Sequence, residues 1–280
     1  MALDQKIKIA EFSHGVEYAA NELANQIIEM TRGTGAAGSV VGVSGGIDSA
    51  TVTYLCNYAF IRDRKLNPDL KPMGLLGVLM PSNANDPKDI QDGLRVVEAC
   101  GIEKEIIEIE PLVRPYVEAL GIDNEFDLGN LYSETRATVL SRIGAKHNYR
   151  VMGTGNWDED YVLGYFTKRG DGAVDNNILG NLPKRLVREL AEFLGVADDI
   201  VNRVPTAGLW EGQTDEGELG YSYSQAEIIQ RGYNQGLSAR EIVDATEYDL
   251  GIVSDVARRH FITEHKRRVA PIGEVSLEFR

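Results

Sequence analysis

The sequence is short of three things. It has two cysteines in 280 residues, Cys56 and Cys100, and they form neither a C-x-x-C pair nor a metal-ligand spacing. That gives no support to a disulfide-stapled fold or a thiolate metal site, and a reducing, cytoplasmic setting is the expectation. No apolar run approaches the roughly 20 residues that span a bilayer. The opening stretch MALDQKIKIAEFSHG also lacks the apolar centre of a secretory leader, so no membrane association is expected. Positive charge is scarce as well. Against 43 aspartates and glutamates stand 29 lysines and arginines, for a formal net charge of −14. So acidic a surface repels phosphate backbones and argues against nucleic acid as a partner. Any small anionic substrate must then be gripped by local cations, backbone N–H groups or a metal.

What is present is a strand and helix alternation. Residues 5–31 carry apolar positions at helical spacing and end in the Gly-rich TRGTGAAGS. SVVGVS reads as a buried strand, SATVTYLCNYAFIR as a helix, and MGLLGVLM (73–80) as a second strand. DPKDIQDGLRVVEACG follows as a helix with Pro87 in its first turn and Gly101 at its end. EKEIIEIE alternates like a third strand, LYSETRATVLSRIGAKHN is helical, and YRVMGTG (149–155) is a fourth strand. Residues 156–182 read as Gly- and Asp-rich loop, 183–195 as a helix, 203–222 as a long polar loop, and the remainder as helical. This order predicts an α/β fold with a doubly wound, mostly parallel sheet. A single domain over 1–280 is expected, helical from about residue 222.

The stretch VVGVSGGIDSA (40–50) runs a buried strand into a Gly-Gly turn. At the carboxyl edge of a parallel sheet such turns bind ligands. Gly45 and Gly46 let the backbone bend and approach a ligand closely. A helix beginning near Asp48 aims unpaired N–H groups at the turn, and Ser44 and Ser49 add hydroxyls, which suits phosphate. The P-loop and the G-x-G-x-x-G fingerprint both fail here. Asp48 would repel phosphate unless it holds Mg²⁺, which then bridges to phosphate oxygens. A Gly-Gly turn in which Asp48 merely caps a helix fits the same six residues.

S-G-G-x-D-S after a strand resembles the signature of the ATP pyrophosphatases, which cleave ATP between the α and β phosphates. Four further stretches resemble, in order, the motifs of the NAD synthetase family: GTGNWDEDYVLGYFTKRGDGAVD (153–175), LPKRLVRELAEFLGV (182–196), PTAGLWEGQTDEGELGYSY (205–223) and TEHKRR (263–268). The resemblance implies an adenine-nucleotide-hydrolase-like, Rossmann-type sheet with a helical C-terminal extension. It also implies amidation of deamido-NAD by ammonia through an adenylate, with release of AMP and pyrophosphate. ATP is the implied co-substrate and Mg²⁺ the implied cofactor.

By the same resemblance Gly42, Val43, Ser44, Gly45, Gly46, Ile47, Asp48 and Ser49 cradle the pyrophosphate, and Thr154, Lys184 and Thr206 contact ATP. Lys184 falls in the first turn of a helix, where a lysine opposes the macrodipole, so capping does not explain it. Asp48 and Glu159 are the implied metal ligands. Counting from Gly153 selects Glu159 and counting back from Gly164 selects Asp160, because one extra residue lies between. Arg136, Lys168, Asp175, His265 and Lys266 match residues that bind deamido-NAD, and Asp48, Lys184 and Lys168 are the expected catalytic set. If His265 and Lys266 act from a partner chain, the enzyme is an obligate homodimer. Each feature has a plainer reading: DED as a solvated acidic loop, Lys184-Arg185 as an exposed helical pair, Tyr165 and Phe166 as core, EHKRR as a basic helix end.

Two positions depart from the family pattern. Glu134 stands where the first arginine of N-x-x-[AS]-R-x-R is usual, and Leu79 replaces a cation. Those losses keep two other readings open: an ATP pyrophosphatase acting on a different carboxylate or amide, and a non-catalytic adenine-nucleotide sensor. The first phosphate motif begins by residue 42, which leaves no room before it for an amidase domain, and both cysteines read as packed side chains. Free ammonia is therefore the expected nitrogen source.

Overall fold

The computed structural model describes residues 7–83, 85–203, 214–273 and 275–276. Five parallel strands form one sheet in the order β3-β2-β1-β4-β5: β1 Gly38–Gly42, β2 Gly74–Leu79, β3 Glu103–Ile106, β4 Tyr149–Gly153 and β5 Asn176–Asn177. The chain builds outward from β1 to β3, then returns to place β4 on the other side of β1. The order thus reverses between β1 and β4, and such a switch point leaves a crevice at the carboxyl ends of the two strands.

The first helices are α1 Val16–Arg32, α2 Ile47–Leu66, α3 Pro87–Cys100, α4 Glu110–Leu120 and α5 Glu125–His147. Side chains of a strand point alternately to its two faces. Val41 and Met152 accordingly join the core beneath α1, α2 and α6 (Lys184–Leu194), while Val40, Val78 and Val151 pack against Ile143 of α5 on the other face. Helix α2 is buried on most sides, so it shows no one-sided apolar stripe, as expected of a helix enclosed by neighbours. Short α7 (Asp198–Val201) and α8 (Asp215–Leu219) precede α9 Tyr223–Asn234, α10 Ala239–Thr246, α11 Leu250–Ile262 and α12 Glu264–Arg267. Helices α9, α10 and α11 share a separate core built from Trp157, Leu163, Tyr223, Ile229, Ile242 and Val253.

Three segments differ from the expected pattern. The alternation in EKEIIEIE continues as strand only to Ile106, and the unanticipated α4 follows, with Pro111 in its first turn where the missing N–H is not needed. The expected loop 156–182 contains a π-helix, Trp157–Leu163. The expected loop 203–222 contains α8, whose N-cap Thr214 accepts from the Gly217 N–H. Among the described residues no helix is long and apolar enough to cross a membrane.

Candidate active site

The crevice at the switch point is a cavity of about 530 Å³. Its floor is the bend after β1. Gly45 has φ +84°, and a Cβ there would lie 2.2 Å from the backbone oxygen of Asp89, so glycine is required both for conformation and for the approach of α3. The Ser44 and Ser49 hydroxyls lie 3.0 Å apart, Ser49 Oγ accepts from Ser44 N–H at 3.2 Å, and Gly46 N–H donates to Ser44 Oγ at 3.3 Å. The bend is thus braced by its own side chains at the positive end of α2.

Asp48, in the first turn of α2, faces the residues after β4. Its Oδ1 accepts from Asn156 Nδ2 at 3.2 Å and its Oδ2 from Lys184 Nζ at 2.6 Å. Lys184 Nζ also donates to Glu159 Oε1 at 2.7 Å, so one ammonium, only 4% exposed, bridges two carboxylates that line the cavity. Burial alone would depress the pKa of this lysine, but Asp48 and Glu159 outweigh it and raise it. Burial pushes the Glu159 carboxyl upward, with Lys184 opposing and the Asp48 charge adding to the rise. The buried Asn156 orients this group by accepting from the Asp158 and Glu159 N–H groups, both at 3.1 Å. Asp158 in turn accepts from the Lys184 backbone N–H at 2.7 Å, which holds the start of α6 in place, while the two carboxylates on its Nζ explain a lysine in a first turn.

The π-helix sends the two adjacent acidic residues in different directions. A π-turn spans i→i+5 and so absorbs one residue more than an α-turn. Glu159 keeps its distance from β4 and meets Lys184, while Gly164 still ends the helix in a left-handed conformation at φ 58°. Asp160 is turned to Asn177, whose Nδ2 donates to it at 2.7 Å, and it packs against Gly155. Burial, then the Glu159 charge, push its carboxyl up to about 8.

Of the other expected residues, Thr154, Arg136 and Lys266 line the same cavity. Arg136 donates to Met80 O at 3.3 Å, Ser82 Oγ at 3.2 Å and Asn85 Oδ1 at 3.0 Å, which fastens the β2–α3 connection to α5. Glu134 is exposed on α5 and Leu79 is buried in the core. Lys266 Nζ donates to the carbonyls of Gly164 and Phe166 at 2.9 and 2.6 Å and lies over the Phe166 ring. Lys168 reaches the other way, donating to the carbonyls of His265 and Arg268. The two lysines thereby clasp the loop after the π-helix to α12. Lys168 and His265 are not on the cavity wall, and neither is Asp175, which accepts from Val151 N–H at 2.8 Å beside Arg150 in a second groove of about 480 Å³. Thr206 lies outside the described residues. Cavity-lining Arg203, Arg258 and Arg259 carry no motif that the sequence reading could use.

The donor set suits a hard divalent cation. Mg²⁺ is commonly held by one or two carboxylates together with substrate phosphates rather than by an all-protein cage. Asp48 and Glu159, already drawn together around a single positive charge, are such a pair. Among the described residues no cluster of three or more metal-ligating side chains occurs.

Comparisons with known proteins agree with this geometry. The sequence profile of the NAD synthase family matches residues 19–270. An NH3-dependent NAD(+) synthetase of Pyrococcus horikoshii is 40% identical over 255 residues, covering 90% of this chain and 94% of the relative. Among solved structures, an NMN synthetase of Francisella tularensis superposes with a TM-score of 0.80 at 29% identity, covering 95% of this chain and all of that one. An NH3-dependent NAD synthetase of Campylobacter jejuni, in complex with a nitrate ion, gives 0.74 at 25% identity over 92% and 99%.

Proposed function

The chain belongs to the NAD synthase family, and from that membership we propose how its cavity works. It is a C–N bond-forming ligase that amidates deamido-NAD to NAD with ammonia at the expense of ATP. The observation that carries the assignment of roles is the Lys184 ammonium held between Asp48 and Glu159 beside the Gly-Gly bend.

In the proposed cycle the nicotinate carboxylate attacks the α-phosphorus and pyrophosphate leaves. Catalysis here is positioning plus stabilisation of charge on the leaving oxygens. The backbone and hydroxyls of residues 42–49, with Thr154, Lys184 and Thr206, would hold the triphosphate. Asp48 and Glu159 would hold Mg²⁺, which supplies neutralisation of phosphate charge when bound. Ammonia then displaces AMP from the acyl carbon. Arg136 and Lys266 would meet the acceptor from the cavity wall, and Lys168 would shape that wall through the C-terminal segment it grips. Asp175 and His265, off the wall within one chain, are proposed as acceptor contacts completed by a second copy. Ile262, on the cavity wall, and its neighbour Phe261 are 52% and 76% exposed and would offer an apolar patch for such a homodimer. Residues 1–280 acting as one domain in the cytoplasm complete the proposal.

The test is to supply ATP, Mg²⁺, ammonium and deamido-NAD and follow products. AMP and NAD formed in equal amounts are expected. AMP without NAD, or turnover indifferent to deamido-NAD, would overturn the assignment. Likeness to an NMN synthetase favours one second reading, in which the acceptor is the shorter mononucleotide acid. Running both acids in competition separates the two.

A further inference from the structure

Arg203 stands on the cavity wall just outside the motif that begins at Pro205. Its guanidinium hydrogen-bonds the Asp89 carboxylate and lies 3.5 Å from Asp92 Oδ2. Both acids belong to the first two turns of α3, and Asp89 is the residue whose backbone oxygen packs against Gly45. The arginine is thus anchored at the outer rim of the phosphate bend.

The two carboxylates are not equivalent. Asp92 is 2% exposed and has a second cation, Arg95, at 2.9 Å, which also reaches Asp199 at 2.7 Å. Those contacts already tie α3 to α7, so Arg203 is not needed as a strap. Asp89 lines the cavity, and among the described residues Arg203 is the cation that pairs with it. Left bare, Asp89 would repel any phosphate on the bend. A guanidinium carries five donors in a planar fork, so it can keep Asp89 and still offer N–H groups to a second anion.

We propose that Arg203 is a further nucleotide-binding residue, whose guanidinium contacts the outer phosphates of ATP at the Gly-Gly bend while neutralising Asp89. The inference rests on reading the bend as the pyrophosphate cradle. It assigns Arg203 to the β and γ phosphates, with no part in binding the adenylate half or the acceptor.

Calorimetric binding of ATP, inorganic pyrophosphate, AMP and deamido-NAD to the full chain tests it. Arg203→Gln should weaken ATP and pyrophosphate on the order of tenfold or more, as expected for a lost charge-assisted hydrogen bond, and leave AMP and deamido-NAD nearly unchanged. Arg203→Lys should recover part of the loss, and Asp89→Asn should tighten ATP. Equal losses for ATP and AMP, or no loss for either, would overturn the inference alone. A wild-type chain that binds neither ATP nor pyrophosphate would overturn the cradle reading and this inference together. Should Arg203→Gln fail to fold, the Arg203→Lys and Asp89→Asn contrasts between ATP and AMP decide the matter.

Discussion

Helix α2 carries a carboxylate near each end, and the two live under opposite conditions. Asp63, in the last turn, is 1% exposed and closed off. It accepts from Arg32 through two nitrogens and from Asn67 Nδ2 at 2.9 Å. A negative charge there opposes the helix dipole, so its partners must offset both burial and dipole. The hydrogen bonds from Arg32 hold its pKa below the ordinary carboxylate value. Asp48, in the first turn, has the dipole in its favour and half a lysine. It shares Lys184 with Glu159 and faces the cavity. Near it stand Asp158, whose carboxyl burial pushes up to about 8 and whose Oδ1 finds no partner among the described residues, and Asp160. One end of the helix is satisfied and closed, which suits architecture. The other gathers more carboxyl groups than its one lysine pairs, which suits a site completed by a cation and a substrate.

Breaking the open end should have the largest consequence. Asp48→Asn should lower AMP release by about 10²–10³-fold, the scale of losing a preorganised electrostatic contact in a transition state, with little change in melting temperature. Unaltered turnover would remove Asp48 from the chemistry. Lys184→Met leaves Asp48 and Glu159 adjacent without their shared charge, and should cost about 3 kcal/mol of stability by denaturant titration. Added Mg²⁺ or Mn²⁺ should restore part of this even without nucleotide, because a cation bound by the native state stabilises it. A variant as stable as wild type and indifferent to the metals would show that the two carboxylates do not form a cation site.

The pH dependence sharpens the contrast, since Asp63 and Asp160, the latter standing near the open end, are shifted in opposite senses. Asp63 has a lowered folded-state pKa, so its contribution is present above pH 3.8 and is lost as pH falls through the still lower folded value. Asp63→Asn should cost about 2 kcal/mol at pH 7, leave turnover intact, and converge with wild type in acid. Asp160 has a raised pKa, so ionising it penalises the fold as pH climbs from 3.8 towards about 8. Asp160→Asn should match wild type near pH 4 and exceed its stability at pH 8 by about 1 kcal/mol. Parallel pH profiles for the two variants would abolish the distinction between the ends.

Much of this was legible in the sequence because it is local. Pro87 at a first helical position and Gly101 in the left-handed conformation after α3 are short-range signals, and both mark real boundaries. The Gly-Gly bend needed only its flanking strand and helix to be recognised. Helix α4 escaped because it is short and holds Pro111 and Pro115, which disguise its periodicity. The π-helix escaped because its acidic sequence is equally that of a solvated loop. Glu159 and Asp160 could not be separated by counting, since counting presumes a uniform helical turn. Arg203 was invisible because its meaning depends on Asp89, 114 residues earlier.

The sequence alone therefore determined the order of strands and helices, the phosphate-type bend and the kind of chemistry its ordered motifs resemble. Each of these is written in neighbouring residues through backbone sterics and periodic burial. Only the tertiary structure decided which carboxylate meets Asp48 and that Lys184, 136 positions away, lies between them. Charges interact through space, and the sheet brings β1, β4 and α6 to one edge by burying side chains far from the charges it assembles.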